Sequence, residues 1–126
     1  MVNTEKLLAE AKKAAKNSYS PYSGLRVGAA LETKSGRIFT GSNVENSSYG
    51  LTNCAERTAI FKAVSEGERD FIGMVIYSDT DRLFYPCGAC RQVMAEFGDE
   101  LSIVIISNRN KAETSLSQLL PSIFRL

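Results

Sequence analysis

The feature that most constrains the fold is a pair of short segments that are apolar along nearly their whole length. Residues 72–78 have the sequence IGMVIYS, and residues 101–107 have the sequence LSIVIIS. Strands of this kind are typical of a sheet that helices cover on both faces. A helix is predicted between them, from about Gly88 to Phe97, so the three elements form a βαβ unit with an expected right-handed crossover.

The remaining elements are predicted from apolar spacing and from turn and stop residues. They are a helix over 4–17, strands over 26–33 and 37–42, a helix from about Cys54 to Glu66, and a short helix near 115–120. Lys34-Ser35-Gly36 should form the tight turn of an antiparallel hairpin, and the polar residues 43–53 should be irregular. The expected fold is α/β, a mixed sheet sandwiched between helices, in a single domain spanning residues 1–126.

Charge and hydropathy exclude several classes of partner. The chain has 15 Lys and Arg against 14 Asp and Glu, a formal net charge of +1, so no nucleic acid partner is expected. No apolar run approaches the roughly 18 residues that span a bilayer, and the N-terminal residues lack the apolar segment of a signal peptide. A cytoplasmic protein with no membrane partner is expected. Thiols stay reduced there, so its cysteines favour metal binding or catalysis over disulfides.

Three cysteines, together with the absence of histidine, restrict the possible chemistry. Mechanisms based on Ser-His-Asp or Cys-His are excluded, as are His-rich metal sites. The cysteines lie in two segments, Cys54-Ala55-Glu56-Arg57 and Pro86-Cys87-Gly88-Ala89-Cys90-Arg91-Gln92, each at the predicted start of a helix. The Cys87–Cys90 spacing is standard for zinc ligands. If the other helix starts alongside, three thiolates converge on one metal and leave the fourth tetrahedral position open, as in catalytic zinc sites.

Charged residues beside the cysteines suggest how such a site could work. Three thiolates outweigh the charge of Zn²⁺, but helix N-termini are partially positive, and Arg57 or Arg91 could donate hydrogen bonds to sulfur. Glu56 could take a proton from water and later return it. A redox dithiol or a non-catalytic zinc site is the alternative from another class of protein, and it explains the cysteines but not Glu56.

Both cysteine segments resemble those of the small cytidine deaminases, down to the non-ligand glutamate. The resemblance implies a three-layer α/β/α sandwich with a mixed five-stranded sheet, and one Zn²⁺ per subunit. It also implies that Cys54, Cys87 and Cys90 bind the zinc and that Glu56 carries protons.

The resemblance extends over nearly the whole chain. Three further segments carry it: Val27-Gly28-Ala29-Ala30, Asn43-Val44-Glu45-Asn46-Ser47-Ser48-Tyr49 and Leu119-Leu120-Pro121-Ser122-Ile123-Phe124. It implies that Asn43 and Glu45 bind the ribose 3′-hydroxyl and that the Ala55 backbone contacts the base. Tyr49 and Phe124 would complete the site of a neighbouring subunit, because family members of this length are commonly homotetramers with shared active sites.

One position departs from the family's pattern. Leu25 stands where the family usually has Phe, in the wall against the pyrimidine. Leucine keeps the apolar contact but loses an aromatic edge that contributes roughly 0.5–1.5 kcal/mol. Substrate affinity and base preference are the properties that this difference should change.

The activity that the resemblance implies belongs to pyrimidine salvage and acts on a small-molecule nucleoside. Cytidine and deoxycytidine would be hydrolysed to uridine and deoxyuridine with release of ammonia, zinc-bound hydroxide attacking C4 while Glu56 moves protons. The alternative is a deaminase of another aminopyrimidine nucleoside such as blasticidin S, whose family shares the zinc motifs. A polynucleotide-editing deaminase is disfavoured by the net charge of only +1.

Overall fold

The chain forms one mixed five-stranded sheet in the computed structural model, which describes residues 2–126. The strands are β1 (Val27–Thr33), β2 (Ile38–Ser42), β3 (Phe71–Ser78), β4 (Ser102–Ile106) and β5 (Lys111–Ser115), in the spatial order β2-β1-β3-β4-β5. The β3–β4 pair is parallel, and the other neighbouring pairs are antiparallel. The predicted hairpin and the predicted βαβ unit are therefore both present.

Helices cover both faces of the sheet, so the predicted three-layer arrangement is confirmed. The helices are α1 (Thr4–Ala15), α2 (Ala55–Ser65), α3 (Gly88–Ala95) and α4 (Leu116–Leu119). On one face α1 buries Leu7 and Ala11 against residues that include Val75 and Val104. The core on the other face includes residues from β1, β3 and β4 together with α2, α3 and α4. Within residues 2–126, no helix is long and apolar enough to cross a membrane.

Gly41 sets how closely α2 approaches the sheet. A Cβ atom added at Gly41 would clash with the Ala55 carbonyl oxygen and would lie only 2.6 Å from the Ala59 nitrogen. Such distances are far inside van der Waals contact, so only glycine permits this approach without a shift of the helix. The first turn of α2, which follows Cys54 directly, is therefore held against the end of β2.

The segments that form the site lie at one end of the central strands. The end of β2 and the start of β1 meet there, since Gly28 pairs with Ser42, and the end of β3 joins them because Val27 pairs with Ser78. Ligands in open α/β sheets bind outside the carboxyl ends of the parallel strands, and the carboxyl end of β3 lies here. Leu25, Asn43 and the loop that leads to Cys87 therefore lie near one another.

Strand β5 was not located by the residue pattern, although the resemblance implies five strands. Its sequence, KAETS, is polar, and its residues are exposed or only half-buried. Edge strands often carry charged residues because these discourage pairing with other chains, so an alternation of apolar and polar residues is weak there. Because β5 is a polar edge strand, its sequence lacks the apolar pattern from which a strand is predicted.

Two predicted helices end two residues early in the structure, the other predicted boundaries agree to within one residue, and one predicted loop differs. Helix α1 ends at Ala15 and α3 at Ala95, two residues earlier than predicted, because each finishes in turn residues. Residues 43–53 are more ordered than predicted. Val44 pairs with both Tyr19 and Asn53, and Tyr49–Leu51 forms a 3₁₀ turn. These pairings hold the segment that carries Asn43 and Glu45 against the rest of the fold.

Candidate metal centre and active site

The three cysteine thiols converge, as the sequence predicted. Cys54 is the N-cap of α2, Cys87 is the N-cap of α3, and Cys90 lies in the first turn of α3. The Sγ atoms of Cys54 and Cys87 are 3.9 Å apart, and those of Cys87 and Cys90 are 3.6 Å apart. All three sulfur atoms lie within 4.8 Å of one another.

This donor set fits a zinc ion. Tetrahedral zinc with Zn–S bonds near 2.3 Å requires sulfur atoms about 3.8 Å apart, and the two measured separations lie on either side of that value. All three cysteines are free thiols. Cys90 is buried, whereas Cys87 is exposed and Cys54 is half-buried, so one side of the cluster faces the solvent-accessible cleft. Three donors leave the fourth position for water or substrate.

Arg57 brings positive charge to the thiols. Its Nη2 atom donates to the Cys54 sulfur at 3.4 Å. A hydrogen bond from the Cys90 thiol, together with the Arg57 guanidinium, lowers the pKa of Cys54 to about 5, against the opposing effect of burial. The pKa of Cys90 is raised by that same hydrogen bond and by burial. Cys54 is thus the first of the two thiols to ionise.

Arg91 lies elsewhere than on a sulfur atom. Its Nε atom donates to the Pro86 carbonyl at 2.7 Å, and its Nη1 atom donates to the Leu119 carbonyl at 2.8 Å. Of the two arginines that the sequence offered as partners for sulfur, only Arg57 has this contact. Arg91 instead ties the segment before Cys87 to the C-terminal segment of the chain. Spacing alone could not separate the two roles, because each arginine follows a cysteine directly or within three residues.

Glu56 is a buried carboxyl group in the first turn of α2. Only 5% of the residue is exposed. Its pKa is raised to about 7, mainly by burial and in part by the negative charge of Cys54, against the opposing effect of a backbone hydrogen bond and of the Arg57 charge. A group with a pKa near the working pH is suited both to accept and to return a proton. Glu56 therefore has the properties that a proton carrier needs.

A cleft of about 210 Å³ is lined by Glu56 and by two of the three thiols, those of Cys54 and Cys87. The residues with a predicted site role that line it are Leu25, Asn43, Glu45, Cys54, Ala55, Glu56 and Cys87. Five others, which have no predicted site role, also line it: Val27, Thr52, Ile76, Phe84 and Tyr85. Position next to a motif was the available signal for two of the five, because Phe84 and Tyr85 directly precede Pro86-Cys87. The others come from strands or from the irregular segment, where only the fold brings them to the cleft.

Asn43 is 8% exposed, and its side chain holds the start of β1. Its Nδ2 atom donates to the Leu25 carbonyl at 2.8 Å, and its Oδ1 atom accepts from the Val27 nitrogen at 3.0 Å. The Ser18 hydroxyl also donates to Oδ1. An amide nitrogen has two N–H groups, so one remains for a ligand hydroxyl. Asn43 thus shapes the cleft while keeping one donor.

Glu45 holds the loop that precedes β1. Its Oε1 atom accepts from the Tyr22 nitrogen at 2.9 Å and from the Ser23 nitrogen at 3.1 Å, and the Ser23 hydroxyl donates to Oε2. The Ser23 hydroxyl, with backbone N–H groups of this loop, keeps the pKa of Glu45 below its ordinary value. A carboxylate has about four lone-pair sites, so an acceptor site remains for a ligand hydroxyl.

Tyr49 and Phe124 do not line this cleft within their own chain. Tyr49 is 77% exposed and borders a neighbouring cavity of about 280 Å³, which shares Glu45 and Thr52 with the cleft. Phe124 is 68% exposed, and its carbonyl accepts from Gln92 Nε2 at 3.1 Å. In a single chain both side chains are therefore accessible to another molecule.

Fold and site together define a class of protein. Three clustered thiols at two helix N-termini of an α/β/α sandwich, with a buried carboxyl group that shares a cleft with two of them, indicate a zinc-dependent hydrolase. The chain belongs to the cytidine and deoxycytidylate deaminase family, since its residues 1–106 match the family described as "Cytidine and deoxycytidylate deaminase zinc-binding region".

Proteins with similar sequences and structures support this family assignment. The cytidine deaminase of Sporosarcina psychrophila is 50% identical, over 98% of this chain and 92% of that protein. The probable cytidine deaminase of Dictyostelium discoideum is 52% identical, over 95% of this chain and 82% of that protein. The crystal structure of cytidine deaminase from Burkholderia pseudomallei superposes with a TM-score of 0.92 and 45% identity, covering 98% of this chain and all of the other. A blasticidin-S deaminase of Bacillus cereus is less similar, at 35% identity over 75% of this chain and 74% of that protein.

Proposed function

We propose that this chain hydrolyses the 4-amino group of cytidine and deoxycytidine, releasing ammonia and leaving uridine and deoxyuridine. The observation that carries the proposal is a buried carboxyl group, Glu56, which lines one cleft together with Cys54 and Cys87, two of the three clustered thiols that suit zinc. The relatives of about 50% identity that are described as cytidine deaminases support the choice of substrate.

Cys54, Cys87 and Cys90 would hold the zinc. When bound, zinc supplies Lewis acidity that brings the pKa of a water molecule towards neutrality. Arg57 adds positive charge beside Cys54, which partly offsets the excess negative charge of three thiolates.

Glu56 would move the protons of the reaction. It takes one proton from the attacking water and gives it to the ring nitrogen beside C4, so the ring can accept oxygen at C4. It then takes the second proton of that oxygen and delivers it to the amino group, which leaves as ammonia. One water is consumed for each ammonia released, and Glu56 ends in its initial state. Its pKa of about 7 lets one carboxyl group do both tasks near neutral pH.

Asn43 and Glu45 would bind the ribose 3′-hydroxyl, one as donor and the other as acceptor. Each keeps a free hydrogen-bonding site after its contacts within the chain, as counted above. The Ala55 backbone would contact the base, because Ala55 lines the cleft between Cys54 and Glu56. These groups would orient C4 towards the thiol cluster.

Tyr49 and Phe124 would complete the site of a neighbouring subunit in a homotetramer. Their exposure supports this role, as does the cavity beside Tyr49 that adjoins the substrate cleft. Within one chain, residues 1–126 would fold as a single domain, since both apolar clusters pack on the same sheet. The cytoplasmic location stays a prediction from the sequence.

A substrate panel tests the proposal. The zinc-loaded protein is given cytidine, deoxycytidine, blasticidin S and a short single-stranded oligonucleotide that contains cytosine, and ammonia release is measured. The two nucleosides should be the best substrates by kcat/KM. A higher kcat/KM for blasticidin S, or release from the oligonucleotide alone, would overturn the proposed substrate class.

A further inference from the structure

The aromatic surface of the substrate cleft comes from the loop between β3 and α3. Among the residues that line the cleft, the only aromatic ones are Phe84 and Tyr85. The apolar wall near the start of β1 consists of aliphatic side chains, Leu25 and Val27, with Ile76 from β3 beside them. Within one chain, a planar heterocycle in this cleft therefore meets aliphatic carbon on one part of the wall and an aromatic ring at the loop.

Hydrogen bonds and a buried proline anchor this loop before and after Phe84. The Ser78 hydroxyl donates to the Arg82 carbonyl at 3.0 Å, and the Ser107 hydroxyl donates to the Asp81 carbonyl at 3.0 Å. Pro86 is fully buried, so its fixed φ angle sets the direction in which the chain enters Cys87. Both sides of Phe84 in the sequence are thus anchored to the ends of β3 and β4 and to the core.

Phe84 is better placed than Tyr85 to contact a bound ring. Phe84 is half-buried, and the Arg82 guanidinium packs 4.9 Å from its ring centroid. Tyr85 is 48% exposed, so about half of its surface remains in water. An ordered, partly desolvated ring loses little side-chain entropy when a ligand packs against it.

We propose that Phe84 is a specificity-determining residue that supplies an aromatic contact to the pyrimidine ring from the same chain that holds the thiol cluster, in addition to any ring that a neighbouring subunit contributes. The aliphatic side chain of Leu25 contributes apolar area at the cleft but no π system. Aromatic pairs contribute beyond their buried area, so Phe84 would favour flat, conjugated bases over saturated ones. The inference rests on the proposed function, because it takes a pyrimidine nucleoside as the ligand.

Kinetics with cytidine test the contact. Phe84→Leu should lower kcat/KM about 2- to 10-fold, mainly through a higher KM, as loss of one aromatic contact predicts. Phe84→Tyr, which keeps the ring, should stay close to the wild-type protein. Phe71→Leu is the matched control, because Phe71 is also half-buried and contacts an aromatic ring, Phe97, at the opposite end of β3. It should leave KM unchanged. Zinc content and thermal unfolding are measured for every variant.

A second readout separates an aromatic contact from a general loss of shape. Uridine and 5,6-dihydrouridine are compared as competitive inhibitors, since the second has a saturated, puckered ring. The wild-type protein should prefer uridine, and Phe84→Leu should shrink that preference about 2- to 10-fold. Adding Leu25→Phe to Phe84→Leu returns a ring to the same cleft, and it should restore part of the preference.

Three outcomes would overturn the inference. The first is an unchanged KM in a folded, zinc-loaded Phe84→Leu protein. The second is an unchanged preference for uridine over 5,6-dihydrouridine in that variant. Either one leaves the proposed function intact, provided that the wild-type protein deaminates cytidine. The third is a wild-type protein that releases no ammonia from cytidine, which overturns the proposed function and this inference with it.

Discussion

At the scale of single residues, Arg57 is the side chain through which the fold moderates the charge of the thiol cluster. Its Nη2 atom donates to Cys54 Sγ and, at 3.5 Å, to the Thr52 carbonyl. These two hydrogen bonds hold the guanidinium beside the sulfur atom. Hydrogen bonds to metal-bound thiolates stabilise the deprotonated form and fix its orientation. Arg57 should therefore affect metal binding more than it affects folding.

Removing Arg57 tests this role. Arg57→Ala should weaken zinc binding about 10- to 100-fold, the usual effect of losing a partner of a metal ligand. A competition titration with a coloured chelator measures the affinity. The exposed Arg69 supplies the control, and Arg69→Ala should bind zinc as the wild-type protein does. Equal affinity of the two variants would show that the Arg57 contact has no effect on the metal.

Ser23 controls the ionisation of Glu45. Its hydroxyl is the main cause of the lowered pKa of that carboxyl group. A lowered pKa means that Glu45 stabilises the fold above the ordinary carboxyl pKa, and that this contribution is lost as the pH falls through its value in the folded protein. Ser23→Ala should raise the pKa of Glu45 towards the ordinary value, so the contribution should be lost at a higher pH.

The pKa of Glu45 can be followed through its carboxyl carbon by NMR. Ser47→Ala, at an exposed serine two residues after Glu45, is the control and should leave the titration in place. If Ser23→Ala and Ser47→Ala gave the same curve as the wild-type protein, the hydrogen bond seen at Glu45 would not govern its charge.

At the scale of elements, the contact between β2 and α2 determines where Cys54 and Glu56 lie. Gly41→Ala should force these two elements apart and destabilise the protein by about 1–3 kcal/mol, as overpacking of a tight contact does. Gly50 has open space where a Cβ atom would be added, so Gly50→Ala should change the free energy of unfolding little. Denaturant unfolding of both variants makes the comparison. Equal stabilities would mean that α2 can move away from β2 without cost.

The elements also show which parts of the structure the sequence could predict. The apolar segments around 72–78 and 101–107 predicted β3 and β4, because strands that are buried on both faces of a sheet are apolar along nearly their whole length. The polar strand β5 and the pairing of Val44 with Asn53 left no such pattern, since their residues are largely exposed or paired only through backbone atoms.

The site likewise contains some residues that the sequence could predict and others that it could not. Cys54, Cys87, Cys90 and Glu56 lie in two short motifs, so spacing along the chain carried the information that they converge. Val27 and Ile76 reach the cleft only because the order of the strands brings them there. Roles for Asn43 and Glu45 came from resemblance alone, as polar residues of an irregular segment have many other uses.

At the scale of the whole molecule, a shared active site predicts complementation between two damaged subunits. Glu56→Gln and Phe124→Ala should each have low activity alone. In the proposed tetramer, a subunit that keeps Glu56 would receive Phe124 from its neighbour, so coexpression should restore part of the activity. The control pairs Glu56→Gln with the double variant Glu56→Gln/Phe124→Ala, which cannot complement. Activity no higher than the sum of the separate variants would argue against sites that subunits share.

The most direct test of the central claim is ammonia release from cytidine by zinc-loaded wild-type protein and by zinc-loaded Glu56→Gln. Positioned acid–base catalysis contributes roughly 10²- to 10⁴-fold, so kcat of the variant should fall by at least about that range while its zinc content stays at one per chain. Near-normal turnover by a zinc-replete variant would contradict the role of Glu56 as proton carrier. No release from the zinc-replete wild-type protein would contradict cytidine deamination itself.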